Sequence, residues 1–299
     1  MHLKIVVAAI ASVLMIASAH AQDGARAYFP VPAGTNDIEG TLTVSHMEIP
    51  AGVFDSPVFT PSYRHTFDVM GDAVTFLIGL PVGKVSATLN TPFGPFPQET
   101  NPAQGDLFVG GTVGLVGAPA LAPMDYATFQ PGLAVSFATK LFLPTGNYDS
   151  SRFVNLGQNR WSFQASLPIM YVLGGSLVDP QVTTFELVPS VQIFGDNKDA
   201  PGPATVGSQA PLYGVEAHVT HSFNPMVWAA VDGFAAFGGE TSFDGIAQKD
   251  GQQSLSLGAT LGLTLSRSVA LRLNYQEQVY SNVPKSVNRR FMGTAAFLF

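Results

Sequence analysis

The sequence predicts an all-β chain that folds as a transmembrane antiparallel β-barrel of about twelve strands, within a range of roughly ten to fourteen. Three observations carry this. Apolar and polar residues alternate with a period of two along the whole chain, as strands require. Charged residues make up only 12% and mean hydropathy is +0.23, yet no stretch after Ala21 reads as a spanning helix. The longest weakly polar run, Leu107 to Pro123, holds Gly110, Gly111, Gly114, Gly117 and Pro119, which break helices. Finally, the chain ends on Phe299 in step with Phe297, Ala295, Gly293 and Phe291, while Leu298, Ala296, Thr294, Met292 and Arg290 take the other face. In lipid every backbone polar group must bond within the protein, so a charge-poor chain without helical spans has to close its sheet.

The elements follow in order. Lys4, the apolar run Ile5 to Ala17 and the small-x-small triplet Ala19-His20-Ala21 read as a secretory signal peptide, residues 1–21, with cleavage before Gln22. The run is shorter than the ~20 residues of a spanning helix. Residues 22–37 form an amino-terminal segment, and Tyr28, Phe29 and Pro30 within it are expected either to plug the lumen or to lie at the periplasmic rim. The barrel itself takes residues 38–299. Ile38, Leu42 and Val44 oppose Glu39, Thr41, Thr43 and Ser45. Phe59, Tyr63 and Phe67 oppose Thr60, Ser62, Arg64, Thr66 and Asp68. Leu133, Val135, Phe137 and Leu141 oppose Gln130, Ser136 and Lys140. Trp161, Phe163, Leu167, Ile169 and Tyr171 oppose Arg160, Ser162, Gln164 and Ser166. Phe185, Leu187, Val191 and Ile193 oppose Thr184, Glu186, Ser190 and Gln192. Tyr213, Val215, Ala217 and Val219 oppose Glu216, His218 and Thr220. Leu255, Leu257, Leu261, Leu263 and Leu265 oppose Ser254, Ser256, Thr260 and Thr264. Val269, Leu271, Leu273 and Tyr275 oppose Arg272, Asn274 and Gln276. Val74 to Val82, Leu107 to Val116 and Val227 to Phe237 alternate less cleanly.

Connections should alternate short and long if both termini face the periplasm. Val69 to Asp72, Asn224-Pro225 and Ser266 to Ser268 are tight. Lys84 to Gly105, Pro144 to Asn159, Gly195 to Gln209 and Gly238 to Gln252 read as long loops, rich in turn residues. Ala118 to Ala127 is long for a periplasmic turn. Trp161, Tyr171, Tyr213, Tyr275, Phe291 and Phe297 fall near strand ends, where amphipathic rings favour the membrane interface. Phe291, Phe297 and Phe299 are the expected carboxy-terminal signal for the barrel assembly machinery, and the outer face is expected to meet outer-membrane lipid.

Composition excludes several functions. The chain has 14 basic and 21 acidic residues and no cysteine, so neither a nucleic-acid patch nor thiolate chemistry is indicated. No GxSxG or HExxH motif occurs, and Gly83-Lys84-Val85-Ser86 lacks the spacing of a P-loop. His218 and His221 point to opposite faces of a strand and cannot share a metal. A strand-borne Ser–His hydrolase using one of them is the minority alternative to a chain that is not an enzyme. Asp196, Asp199, Asp244 and Asp250 lack the ligand spacing of a calcium loop. No cofactor is called for.

The informative charges have inward parity: Glu39, Arg64, Asp68, Lys140, Arg160, Glu186, Glu216, His218 and Arg272. Facing lipid near the midplane each would cost about 2–4 kcal/mol, so they are expected to line the lumen. There they either contact solutes or pair across a filled interior. Glu277 has outward parity and is placed above the membrane.

Several stretches resemble one family, the outer-membrane transporters named for the meta-pathway of phenol degradation. They are Ala25 to Asn36 (Ala-Arg-Ala-Tyr-Phe-Pro-Val-Pro-Ala-Gly-Thr-Asn), Tyr63 to Phe67, Leu80 to Val85, Gly117 to Leu121, Pro144 to Asp149 and, most specifically, Asn155 to Phe163 (Asn-Leu-Gly-Gln-Asn-Arg-Trp-Ser-Phe). The closing strand continues the likeness, which spans nearly the whole exported chain. It departs at Leu107, where Pro is expected after Gly105-Asp106. The resemblance implies a barrel in the outer membrane of a Gram-negative bacterium that admits small hydrophobic or aromatic solutes passively. A general or ion-selective pore and a structural or adhesive surface barrel are the alternatives.

Overall fold

The computed structural model describes residues 23–299; the expected signal peptide and Gln22 lie outside the described residues. Twelve antiparallel barrel strands follow one another around a closed sheet. They are β1 (Asn36–Ile49), β2 (Gly52–Val69), β3 (Asp72–Gly79, Val82–Gly83 and Ser86–Thr91) and β4 (Gly94–Glu99, Ala103–Gln104 and Phe108–Val116). Next come β5 (Leu133–Phe142), β6 (Ser162–Ser166 and Ile169–Leu173), β7 (Thr183–Phe194) and β8 (Leu212–Ser222). The last four are β9 (Val227–Gly238), β10 (Gln252–Thr264), β11 (Val269–Ser281) and β12 (Val287–Leu298). Each pairs with the next, and β12 returns to β1 with Leu298 opposite Asp37 and Val287 opposite Glu48. Asn36 and Phe299 exchange backbone bonds of 2.9 and 3.0 Å at the seam. The barrel wall thus closes on itself, which is what a sheet in hydrocarbon needs.

The alternation read from the sequence fixes the two faces. Leu42, Phe59, Phe137, Leu187, Leu261 and Leu273 point outward and remain exposed. Their neighbours Thr41, Thr60, Ser136, Thr260 and Arg272 point into the lumen. Trp161, Tyr213 and Phe237 stand at the rim opposite the termini, where Tyr213 stacks on Phe237 at 5.2 Å. Tyr171, Phe297 and Phe299 stand at the terminus-bearing rim, while Tyr275 opposes Phe291 higher on the wall. Inside, Trp228 of β9 lies directly opposite Gly262 of β10. A Cβ at 262 would sit 1.9 Å from the Trp228 Cε2, so only glycine lets the indole lie flat there.

The loop rhythm holds in part. The turns at 70–71, 223–226 and 265–268 are tight as expected. The stretch expected as a long loop from Lys84 to Gly105 is instead a hairpin: β3 runs on to Thr91 and β4 starts at Gly94. Glycine and proline misled here, because Pro95 and Pro97 lie in the Gly94–Glu99 stretch of β4, opposite Asn90 and Thr88, and that stretch pairs with β3 on one side alone among the described residues. Proline also breaks β6 at Leu167-Pro168, since it has no N–H to give the ladder. Its carbonyl takes Ser136 N at 2.9 Å and keeps the wall joined. A short helix, Pro123–Tyr126, sits in the long connection between β4 and β5. A separate three-stranded sheet (Gly207–Gln209, Thr241–Phe243 and Ile246–Ala247) caps the far rim above β7 to β10.

Candidate functional site: a lumen divided by the amino-terminal segment

The barrel interior is shaped by residues 23–35, which run inside it. Gly24 and Arg26 adopt left-handed backbone angles (φ 79° and 59°), a conformation that costs glycine little and curls the segment so that successive amides face one wall. Asp23 N and Gly24 N donate to the Glu216 carboxylate at 3.2 and 3.1 Å, and Arg26 N donates to Glu186 at 2.9 Å. Asp23 forms an ion pair with Lys140 and accepts from the Tyr28 hydroxyl at 2.5 Å. The Arg26 guanidinium donates to Thr220 and Ser222, both at 3.0 Å, and lies 4.4 Å over the Trp228 ring. Arg272 donates to the Ala25 carbonyl at 3.1 Å and Arg64 to that of Ala27 at 3.4 Å. Lower down, Phe29 packs on a cluster of Ala134, Met170, Val172, Leu177 and Val182. Tyr126 donates to the Pro30 carbonyl at 2.8 Å. Gly34 N then donates to Thr66 O at 2.7 Å, leading the chain into β1.

This segment splits the lumen. Under β7 to β10 the interior is filled by polar side chains that hydrogen-bond to one another. His218 Nδ1 lies 2.7 Å from Asp232, and Asp232 also accepts from Thr260 and Asn274 at 2.6 and 3.0 Å. Along β1 to β5 and β11 to β12 a cavity of about 620 Å³ remains. Its lining mixes Phe29, Val31, Leu77, Phe108 and Leu298 with hydroxyls such as Thr41, Thr75 and Thr112. The loop at 144–159 bounds it at the far rim. That loop folds inward because Asp106 accepts from Gly146 N and Gln158 N, both at 2.9 Å, and because Val154 is fully buried against Phe54, Ala87 and Leu89. Leu107, which stands where Pro was expected, gives its N–H to Thr145 Oγ1 at 3.0 Å, a bond proline could not make.

The sequence-derived residues separate into groups. Glu39, Arg64, Lys140 and Arg272 line the cavity, as do Tyr28, Phe29 and Pro30. Glu186 and Glu216 face inward, but their carboxylates hold the amino-terminal segment. His218 faces inward too. Its Nε2 meets Glu216 at 3.5 Å, where a hydrolase would need a hydroxyl. His221 points out and meets Thr183. Two expectations are corrected. Asp68 shares the inward parity but lies at the turn-ward end of β2, at the terminus-bearing rim and away from the cavity, exposed, where it accepts from Gly71 N at 2.9 Å and closes a turn. Arg160 precedes β6 rather than belonging to it. It is buried beneath the far-rim loops, donating to Gln209 at 2.5 Å and lying 4.6 Å over Phe194, away from the cavity. Burial there lowers its guanidinium to about 10.

Asp23, Arg26, Asp37 and Arg290 also line the cavity and were not singled out from the sequence. Arg290 was readable, since the outward Phe291 beside it implies an inward neighbour. Asp23 and Arg26 carry no periodic signal, because the segment is not a strand. The acidic loop residues serve the loops themselves: Asp244 accepts from Thr205 and Val206, Asp250 from Thr241 and Asp196 from Ser208.

A barrel of this build, with its amino-terminal segment inside, can be set beside known proteins. Residues 33–297 match the profile of the family described as "Putative MetA-pathway of phenol degradation". The chain belongs to this family. Its fold is similar to that of the COG4313 outer membrane channel from Pseudomonas putida F1, with a TM-score of 0.73, 20% identity, and coverage of 93% of this chain and 100% of that one. The translocator domain of the autotransporter NalP from Neisseria meningitidis (TM-score 0.47, 6% identity, 97% and 94% covered) is more distant. So is the β domain of the Bordetella autotransporter BrkA (0.45, 11%, 89% and 100%). No curated protein matches.

Proposed function

We propose that the protein is an outer-membrane β-barrel channel that admits small hydrophobic or aromatic compounds passively. The observation that carries this reading is the cavity of about 620 Å³ left beside the amino-terminal segment. Apolar walls with a few placed polar groups are the usual surroundings of a small organic ligand. Phe29, Val31, Leu77 and Phe108 offer the apolar surface, and the hydroxyls of Thr41 and Thr75 offer the polar contacts. The family name, which refers to phenol degradation, supports the same class of solute. The exposed leucine and phenylalanine belt supports a place in lipid, and the fold likeness to an outer membrane channel supports the outer membrane.

The test is uptake of labelled toluene and phenol by porin-depleted bacterial cells making this barrel. Uptake faster than in cells with an empty vector is expected. Equal rates would sink the hydrophobic-solute reading.

A further inference from the structure

The charges around the cavity do not balance locally. Its carboxylates all have partners. Asp23 is held by Lys140 and Tyr28. Asp37 and Glu39 are both held by Arg64. Asp106 is held by the amides of Gly146 and Gln158. The wall acids Glu186 and Glu216 are turned to the amino-terminal segment. Arg272 is different. Among the described residues its guanidinium makes one hydrogen bond, to the Ala25 carbonyl at 3.1 Å, and no ion pair within 4 Å, although the Asp37 carboxylate lies near enough to attract it. A guanidinium has five N–H donors and cannot be deprotonated in a protein, so several donors remain for another group.

Its surroundings suit an anion. Arg272 stands opposite Thr294 of β12, and Thr294 stands opposite Thr41 of β1, the two hydroxyls lying 3.0 Å apart. Arg290 projects into the same cavity from β12, four residues before Thr294. The apolar surface of Phe29, Leu77 and Phe108 shares that space. A site with a free guanidinium fork, neighbouring hydroxyls and apolar walls matches a solute with one negative head and an apolar body. Guanidinium binds carboxylate and sulfonate oxygens in pairs.

We propose that the cavity holds a subsite for small organic anions, aromatic carboxylates and sulfonates among them, with Arg272 as the residue that contacts the anionic head. This rests on reading the cavity as a solute passage, and it names a solute class for it.

The full barrel in planar bilayers tests this under a gradient of potassium benzenesulfonate, a probe that stays ionised. The reversal potential should lie on the anion-preferring side. In Arg272→Gln the anion-to-potassium permeability ratio should fall roughly fifteenfold, because one charge acting across ~5 Å of watery lumen shifts anion and cation about fourfold each in opposite directions. Arg272→Lys should keep the sign of the preference and lose part of its size. A heat-modifiable gel shift checks that each variant folds. A bilayer without current, a potassium-preferring wild type, or an Arg272→Gln variant equal to wild type would overturn the proposal. Toluene uptake that persists alongside such a result would leave the passage standing and remove the anion subsite alone. Loss of both would remove the passage.

Discussion

Replacing Lys140 with Met should loosen the amino-terminal segment without unfolding the barrel. Lys140 lies on β5 and holds the Asp23 carboxylate, and the two side chains keep only 12% and 20% of their exposure. Removing one partner of a buried ion pair costs roughly 3–5 kcal/mol, because the other charge stays behind in poor solvent. The residual exposure puts this pair at the lower end, about 3 kcal/mol. That changes the docking equilibrium of the segment by roughly 150-fold. The barrel wall, stitched by its own ladders, is unaffected. The chain has no cysteine, so Ala25→Cys creates a single reporter at a position that is 0% exposed. Its rate of labelling by a membrane-impermeant maleimide reads how often the segment leaves. Labelling should accelerate strongly in Lys140→Met. It should return toward the parent rate when Asp23→Asn is added, because the stranded charge is then gone. Labelling in Lys140→Met as slow as in the parent would refute the idea that this ion pair retains the segment.

Two further outcomes follow from the same geometry. Gly262→Val should drive the Trp228 indole off β10 and break its stack with Arg26, worth about 0.5–2 kcal/mol. In a Trp161→Phe background the emission of Trp228 should shift to the red, and an unchanged spectrum would contradict the close approach. At the far rim, the amides of Val206 and Thr205 and the Thr205 hydroxyl hold the Asp244 carboxyl below its usual value. A group depressed in the folded state stabilises above its unfolded value near ~4 and loses that contribution as pH falls through the folded value. Hydrogen exchange at Thr205 and Val206 should therefore quicken below that range, and Asp244→Asn should exchange fast at neutral pH as well. Exchange independent of pH and of the substitution would show that the clasp does not order this loop.

Much of the wall was legible. The alternation of Leu255 to Leu265 against Ser254 to Thr264 gave β10 and its facing together, because one residue of slip would turn every leucine into the lumen. The same rule places Arg272 inside and Leu273 outside, so the cavity's most informative cation could be read from parity alone. Asp68 shows where parity stops helping: it gives a face, and it is silent on height along the barrel. Arg160 shows the error of extending a strand two residues too far. The hairpin between Lys84 and Gly105 was hidden because its prolines and glycines read as a loop while its partner strand supplied the order.

By itself the sequence determined a closed antiparallel barrel, its outward apolar face and the inward set of charges. These depend on a local period of two and on the rule that lipid tolerates no unpaired backbone. The tertiary structure decided which of those charges face open space. Glu186 and Glu216 have the same parity signal as Glu39 and Arg272, yet they are engaged in holding residues 23–26, 160 to 193 positions away in the chain. Such pairings join a non-periodic segment to a distant wall, and no local pattern encodes them. The division of the lumen into a filled half and an open half is therefore a property of the packed molecule.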